Sequence, residues 1–431
     1  MSTFHVLILV IVFVALLGLG VPIAFCIALS TLAAMILALG VEGAMTTMAQ
    51  IIANTDSFVL LAIPFFILAG QIMNRGGIAR RIIDFAKAIV GPLPGGLAFV
   101  NIVSAMLFGA LSGSAVAAAS AIGGVMSPHM DREGYERGYS AAVNITSSTT
   151  GLIIPPSNIL IVYALVAEVS VGGLFVAGYV PGVIVGLSLM CVAGLIARQR
   201  RYPTTPRVPL RQTVRRFFAA LPSLGLIVVV IGGIVGGVFT ATEAAAVAVL
   251  YALVLALLYR ELRFTHLPRI LLDSATTTAV VMLLVATSMC MSWMLALERI
   301  PTEISEALLG LSENPVIVLI LINLILLLVG VFMDITPAVL IFAPIFLPIT
   351  DSLGIDRTHF GIVMILNLCI GLCTPPVGSV LFVGCGVGRV SITKVIRPMA
   401  PLYAAMIVAL LLVTYVPGFS LWLPRLFGYS E

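Results

Sequence analysis

Charged side chains are scarce in this chain. Only 9% of its 431 residues are Asp, Glu, Lys or Arg, 61% are hydrophobic, and the mean hydropathy is +1.21. Because a soluble domain carries about 25% charged residues, the composition excludes a soluble enzyme, a nucleic-acid-binding protein and a disordered scaffold. The apolar runs are continuous rather than alternating, which disfavours a β-barrel. The composition predicts an all-α, polytopic membrane protein.

The motifs that usually announce catalysis or metal binding are also missing. The sequence contains no GxSxG, HExxH, GxxxxGK[ST] or CxxC motif, and its four histidines are scattered. Its six cysteines lie in apolar runs, where core packing is the expected role. We therefore expect no enzyme activity, no organic cofactor and no nucleic-acid partner.

The N-terminus has no basic region of the kind that opens a signal peptide. Its apolar run is also too long for one, so we expect it to be kept as membrane spans.

Ten segments are apolar and long enough, or nearly so, to cross about 30 Å of hydrocarbon. They lie near 4–18, 21–39, 58–73, 139–167, 173–197, 218–238, 241–261, 275–297, 360–387 and 400–424. Two more apolar stretches, 95–127 and 315–350, are broken in the middle by polar or helix-breaking residues. We predict that these two are re-entrant hairpins.

The basic residues test this layout. Nineteen of the 22 Lys and Arg residues fall on one side of the predicted membrane, which the positive-inside rule makes cytoplasmic. The asymmetry holds only if hairpin 95–127 enters from the cytoplasm and hairpin 315–350 enters from outside. The N-terminus is then predicted to lie outside.

The two halves of the chain share a pattern at a constant offset. P-x-x-D-x-x-G-x-[DE]-R begins at Pro128 and again 220 residues later at Pro348. Gly151-Leu-Ile-Ile-Pro-Pro has its counterpart in Gly371-Leu-Cys-Thr-Pro-Pro at the same offset. Such agreement predicts an internal repeat.

Each predicted repeat holds five spans and a hairpin, and an odd number of spans inverts the second copy. We assign 1–197 to the first inverted repeat, 198–217 to a basic cytoplasmic linker and 218–431 to the second repeat. Anionic membrane lipid is an alternative partner for the linker. Inverted repeats with broken helices are typical of secondary transporters.

Polar groups interrupt the apolar segments at both hairpin tips and in the span that follows each hairpin. Proline opens a helix, and the freed carbonyls and hydroxyls should face inward because facing lipid costs several kcal/mol each. Converging oxygens without net charge suit Na⁺, and half-helix N-termini suit an anionic substrate. Each motif has a structural alternative: small-residue packing at Ser112–Ala115, hydrogen bonds within the helix at Thr146–Thr150, and a simple kink at Pro-Pro.

Asp334 is the only acidic residue near the middle of any of the apolar segments. A charge at that depth costs about 2.5–3.5 kcal/mol on insertion scales. We interpret Asp334 as a cation ligand, with a proton site and a hairpin-closing hydrogen-bond acceptor as alternatives.

Glu243 is interpreted as a helix-start charge. The amphipathic segments 75–90 and 298–311 are either interfacial braces between a moving and a static block or plain loop helices.

Segments 108–117, 141–158, 332–349 and 359–378 together resemble the large membrane subunit of TRAP (tripartite ATP-independent periplasmic) transporters. Segments 18–25 and 239–253 are similar to that family as well. The resemblance implies Na⁺-driven import of an organic acid (a C4-dicarboxylate, sugar acid, sialic acid or keto acid) by an elevator mechanism in the bacterial inner membrane. The implied partners are a small four-helix membrane subunit, expected here as a separate chain, and a periplasmic substrate-binding protein. A self-sufficient Na⁺- or H⁺-coupled carboxylate symporter of related fold is the alternative.

The resemblance also implies site residues around the breaks. One sodium site would be formed by Ser112, Gly113, Ser114, Asn144 and Gly151, and the other by Asp334, Thr336, Gly371 and Thr374. The expected substrate contacts are Ser148, Thr149, Pro155, Pro156, Pro375 and Pro376.

Overall fold

A computed structural model describes residues 2–53, 57–203, 209–262, 264–312, 314–375 and 378–429. Regular structure within these ranges is helical. The first half contains α1 (Ser2–Gly18), α2 (Ile23–Ala53), α3 (Ala62–Arg75), α4 (Ile78–Val90), α5 (Gly96–Ser112), α6 (Ala115–Arg132), α7 (Arg137–Ser148), α8 (Thr150–Ile153), α9 (Asn158–Ala167) and α10 (Val171–Gln199). The second half contains α11 (Leu210–Val235), α12 (Ala241–Leu258), α13 (Leu267–Leu297), α14 (Ile300–Leu311), α15 (Pro315–Phe332), α16 (Ile335–Ser352), α17 (Arg357–Gly371), α18 (Ser379–Gly388), α19 (Ile392–Tyr415) and α20 (Gly418–Leu426). Short 3₁₀ helices lie at Phe58–Leu61 and Phe264–His266.

Nine helical segments in the described ranges are long and apolar enough to cross a membrane. The pair Arg137–Ile153 and Asn158–Ala167, bent by 45°, makes a tenth. The chain is therefore an all-helical, multi-pass membrane protein, as its composition predicts. The two arms of the second hairpin, α15 and α16, are among the nine, because each has 18 residues and a length of about 27 Å. The re-entrant depth of both hairpins stays a prediction.

Some predicted boundaries differ from the observed helices. The span predicted at 400–424 is present, but its predicted end is wrong, because α19 ends at Tyr415 and a separate helix begins at Gly418. Pro417 explains the break, since proline cannot donate the backbone hydrogen bond that would continue the helix. The span predicted at 21–39 ends where α2 is interrupted, because Gly40 has a φ of 75° that breaks the helical path, and a further helical stretch continues to Ala53.

The internal repeat is visible in local structure. Helix α16 begins and ends 220 residues after α6. Each of the two helices ends in an ion pair that closes the following turn, with 2.8 Å between nitrogen and oxygen in both: Arg137 with Asp131, and Arg357 with Asp351. The inverted orientation of the two halves stays a prediction.

The helices pack in two groups. One group contains α1, α2, α3, α11, α12 and α13, and the other contains the hairpins and broken spans, α5 to α10 and α15 to α20. Helices α4 and α14 lie between them: α4 packs on α11 and α5, and α14 packs on α13 and α16. These are the positions expected of the predicted braces.

The second group joins both halves of the chain. Helix α9 packs against α16 and α17, while α18 packs against α6 and α7. The Tyr163 hydroxyl of α9 donates to the Arg357 carbonyl at 2.7 Å. Each broken span therefore completes its packing against the hairpin of the other half.

Candidate functional site

A cavity of about 240 Å³ lies where the two hairpin tips meet. The first tip contributes Ser112, Gly113 and Ser114, and the second contributes Asp334 and Thr336. The fold therefore brings together five of the residues predicted to bind sodium, although the two groups are more than 200 residues apart in sequence.

The first tip is a turn between α5 and α6. Gly113 has a φ of 61°, a left-handed conformation that glycine adopts without steric cost. Ser114 caps α6, because its side chain accepts a hydrogen bond from the Ala117 N–H at 3.2 Å. The small residues thus form a polar tip, and the Ser112 backbone also packs closely on α3, since a Cβ at Gly70 would meet the Ser112 carbonyl oxygen at 2.7 Å.

The second tip is held by Asp334. Its Oδ1 accepts a hydrogen bond from the Ile335 N–H at 2.9 Å, which caps α16. The side chain is exposed and faces the cavity. Within the described residues its second oxygen has no hydrogen-bond partner, so one carboxylate can cap α16 and still contact a cation.

Four helices begin at the cavity. Their first residues, which all line it, are Ala115 of α6, Asn158 of α9, Ile335 of α16 and Ser379 of α18. A helix N-terminus carries a partial positive charge and free N–H donors. The described lining contains no Lys, Arg or His. The groups of the described lining that could attract an anion are therefore helix ends rather than basic side chains.

Several lining residues were missed by sequence reasoning. Gln71 and Asn74 of α3 and Thr277 of α13 come from the other helix group and face the tips across the cavity. Gln71 and Asn74 are three residues apart, so they share one helix face. Two amide side chains at this spacing in an apolar segment are the sequence signal from which these residues could have been predicted.

Other predicted site residues lie inside the broken span of the first half. Asn144, Ser148, Thr149 and Gly151 are buried there and do not line the cavity. The Ser148 hydroxyl donates to the Asn144 carbonyl at 2.6 Å, and the Thr149 hydroxyl donates to the Thr146 carbonyl at 3.0 Å. These hydroxyls therefore satisfy their own helix, which was the structural alternative for this motif.

Three asparagines have a buried side-chain carbonyl oxygen without a partner in the described residues: Asn144, Asn367 and Asn158, which lines the cavity. Asn144 donates to the Ala119 carbonyl at 2.9 Å, and Asn367 donates to Asn323 Oδ1 at 2.7 Å. The Oδ1 atoms of Asn144 and Asn367 accept no hydrogen bond. Since buried polar atoms are rarely left unpaired, each oxygen is a candidate cation ligand, and at least one lies in each broken span.

The predicted ligands Gly151 and Gly371 lie at close helix contacts. A Cβ at Gly151 would come within 2.2 Å of the Gly109 Cα, and a Cβ at Gly371 within 2.5 Å of the Gly330 Cα. In each half, a glycine pair thus lets the first hairpin arm touch the broken span.

Comparison with known proteins agrees with this architecture. The family model described as "Tripartite ATP-independent periplasmic transporter, DctM component" matches residues 10–419. The chain belongs to this family.

Among its relatives, the uncharacterized protein YgiK of Salmonella typhimurium is 53% identical over 97% of both chains. The C4-dicarboxylate TRAP transporter large permease protein DctM of Pseudomonas aeruginosa is 42% identical, covering 91% of this chain and 95% of the relative. The sialic acid TRAP transporter large permease protein SiaM of Vibrio cholerae is 38% identical, covering 96% and 97%. The resemblance to TRAP large permeases is therefore confirmed.

A solved structure shares the fold at low sequence identity. The YdaH transporter of Alcanivorax borkumensis matches with a TM-score of 0.63 and 15% identity, covering 89% of this chain and 90% of that one. Since the identity is so low, the likeness supports the fold alone.

In this TRAP large permease, both broken spans open where proline was predicted to open them. Pro155 and Pro156 lie between the end of α8 and the start of α9. Pro375 lies in the turn after α17, and Pro376 is outside the described residues. The Thr374 hydroxyl donates to the Ile370 carbonyl at 2.9 Å, so it extends the helical pattern to the edge of the break.

Proposed function

We propose that this chain is the permease subunit of a Na⁺-driven, binding-protein-dependent importer of an organic acid in the bacterial inner membrane. It acts as a carrier rather than an enzyme. Transport follows an elevator mechanism, in which the group of hairpins and broken spans moves against the other helix group.

The observation that carries this proposal is the cavity shared by the two hairpin tips. It places one carboxylate, Asp334, beside hydroxyls and four helix N-termini. A carboxylate and hydroxyl oxygens suit a small hard cation, whereas helix N-termini suit a carboxylate substrate. A site that favours both charges together is what symport of Na⁺ with an organic anion requires.

The partners follow from the family. Its description names a tripartite transporter, so we infer a small membrane subunit and a periplasmic substrate-binding protein. The two named relatives take different organic acids, a C4-dicarboxylate and sialic acid. We therefore place the substrate of this chain in the class of organic acids, with selection among them by the binding protein.

The Na⁺ part of the proposal can be tested without knowing the substrate. Purified protein should bind ²²Na⁺, and the Asp334→Asn variant should bind it about tenfold more weakly or not at all, because a ligand charge is lost. Glu303→Gln is a matched control, since it removes an exposed acid on α14. Equal ²²Na⁺ binding by the Asp334→Asn variant and the native chain would contradict the sodium assignment.

The alternative is a self-sufficient Na⁺- or H⁺-coupled carboxylate symporter. Proteoliposomes containing this chain, with and without the two partners, separate the two functions. We expect uptake of labelled succinate or sialic acid only with a matching binding protein. Rapid uptake by the chain alone would favour the symporter.

A further inference from the structure

A second cavity, of about 860 Å³, lies away from the hairpin tips at the side predicted to be cytoplasmic. It is formed by the end of α10, the start of α7, the end of α18 and the start of α19. Its basic residues come from all four helices and their caps: Arg137, Arg200, Arg389, Lys394 and Arg397.

Two of these basic residues are already neutralised. Arg137 pairs with Asp131 at 2.8 Å, and Arg200 pairs with Glu136. Within the described residues, Arg389, Lys394 and Arg397 have no carboxylate within ion-pair distance. Three uncompensated positive charges therefore surround one space, where their mutual repulsion is relieved by an anion.

Further donors point to the chemistry of that anion. Helix α19 begins at this cavity, and Ser391 does not cap it with its side chain. The Lys394 N–H donates to the Ser391 carbonyl at 3.0 Å, and the N–H groups of Ile392 and Thr393 at the start of this 24-residue helix are left for a ligand. The Ser391 and Thr393 hydroxyls, 3.1 Å apart, also line the cavity. Guanidinium and ammonium groups, hydroxyls and helix N–H donors together match the oxygens of a phosphate group.

The apolar surroundings indicate where the phosphate comes from. Ile396 lies between Lys394 and Arg397 in sequence and is 44% exposed, and Leu195 on the last turns of α10 is 57% exposed. Neither side chain lines the cavity, but exposed apolar side chains on the helices that carry its cations can contact acyl chains while the cations contact a headgroup.

We propose that this cavity binds the phosphate of an anionic phospholipid headgroup. The site joins α7 of the first repeat to α18 and α19 of the second, since a Cβ at Gly138 would meet the Lys394 carbonyl at 2.5 Å. A bound headgroup would therefore bridge the two repeats inside the hairpin group. The proposal does not depend on Na⁺ coupling or on the identity of the substrate.

The test is lipid binding to the purified full chain in detergent, followed by native mass spectrometry. Dioctanoyl-phosphatidylglycerol should bind more tightly than dioctanoyl-phosphatidylcholine. The double variant Lys394→Gln/Arg397→Gln should weaken phosphatidylglycerol binding about tenfold or more, since each basic residue contributes appreciably to anionic lipid attraction. Arg80→Gln/Arg269→Gln removes the same charge from two exposed positions on α4 and α13 and should change binding less than about twofold.

Three results would overturn the proposal. The first is an equal loss of binding in the two double variants, which would mean a diffuse charge effect. The second is equal affinity for phosphatidylcholine. The third is displacement of phosphatidylglycerol by millimolar inorganic phosphate, which would assign the cavity to a soluble phosphate. If Lys394→Gln/Arg397→Gln lowers the melting temperature, the charge-conserving Lys394→Arg/Arg397→Lys should keep both fold and lipid binding, and its failure to bind would count against the site.

Discussion

At the residue scale, two glycine pairs fix how closely each hairpin lies against its broken span. In the second half, Gly330 and Gly371 bring the backbones of α15 and α17 together. Because backbone atoms on both sides leave no room to adjust, we expect Gly371→Ala to cost about 1–3 kcal/mol of stability through overpacking. A lower melting temperature in detergent measures this.

The contact is reciprocal, so Gly330→Ala should also destabilise the protein. Gly386→Ala is the matched control in α18, since a Cβ there meets no atom within 4 Å. It should be neutral or slightly stabilising, because alanine favours the helix by about 1 kcal/mol over glycine. If Gly371→Ala melts like Gly386→Ala, the close approach at α15 and α17 is not as described.

Which residues of the site could be predicted depends on the physics behind each one. Ser112, Ser114 and Asp334 stood out in the sequence because polar groups inside an apolar run are costly unless they are used. The packing role of Gly151 and Gly371 could not be read from the sequence, since it depends on a partner glycine in a distant helix. Asn74 and Gln71 could have been found by their spacing in an apolar segment, but their place in the cavity depends on neighbours from other elements.

At the element scale, α12 begins with a capping box. The Thr240 side chain accepts a hydrogen bond from the Glu243 N–H, and the Glu243 carboxylate accepts from the Thr240 N–H at 2.8 Å. This confirms the interpretation of Glu243 as a helix-start charge. We expect Thr240→Ala to cost about 0.5–2 kcal/mol, because the N–H groups of the first turn lose their acceptor.

Thermal unfolding of the purified chain measures that loss. Thr302→Ala, an exposed threonine near the start of α14, is the control and should leave the melting temperature nearly unchanged. Thr240→Ser should keep most of the stability, because serine caps a helix equally well. A loss of stability in Thr240→Ser as large as in Thr240→Ala would show that the cap is not the cause.

Helix types were easier to predict than helix ends. Long apolar runs predict spans by their length alone, and the constant offset predicted that α16 would match α6. The end of α19 at Tyr415 was missed because the chain stays apolar through Pro417, so hydropathy alone gave no boundary. By contrast, the predicted end of the second span at residue 39 falls directly before Gly40, whose φ of 75° is one that glycine adopts without steric cost.

At the scale of the whole molecule, the packing joins the two halves in a way that the sequence did not reveal. Each broken span completes the hairpin of the other half, so the hairpins and broken spans form one connected group. The remaining group meets it mainly through the contacts of α3 and α4 with α5, and of α13 and α14 with α16. A carrier that moves one group against the other has to break these contacts between the groups while it keeps the contacts inside each group.

The interface between α4 and the hairpin group can be fixed by cross-linking. Lys87 of α4 and His129 of α6 lie 2.9 Å apart across it, measured between Nζ and Nε2. The experiment uses a Cys191→Ser background, which removes the one exposed cysteine of the described chain. In this background we expect cross-linking of the Lys87→Cys/His129→Cys pair to abolish Na⁺-driven uptake in proteoliposomes. Asp131→Cys/Arg137→Cys is the control pair, because both residues lie in the hairpin group, and its cross-linking should leave uptake in place. Continued transport by the cross-linked Lys87→Cys/His129→Cys protein would mean that α4 and α6 do not move apart during transport, which would contradict an elevator mechanism that divides the protein at this interface.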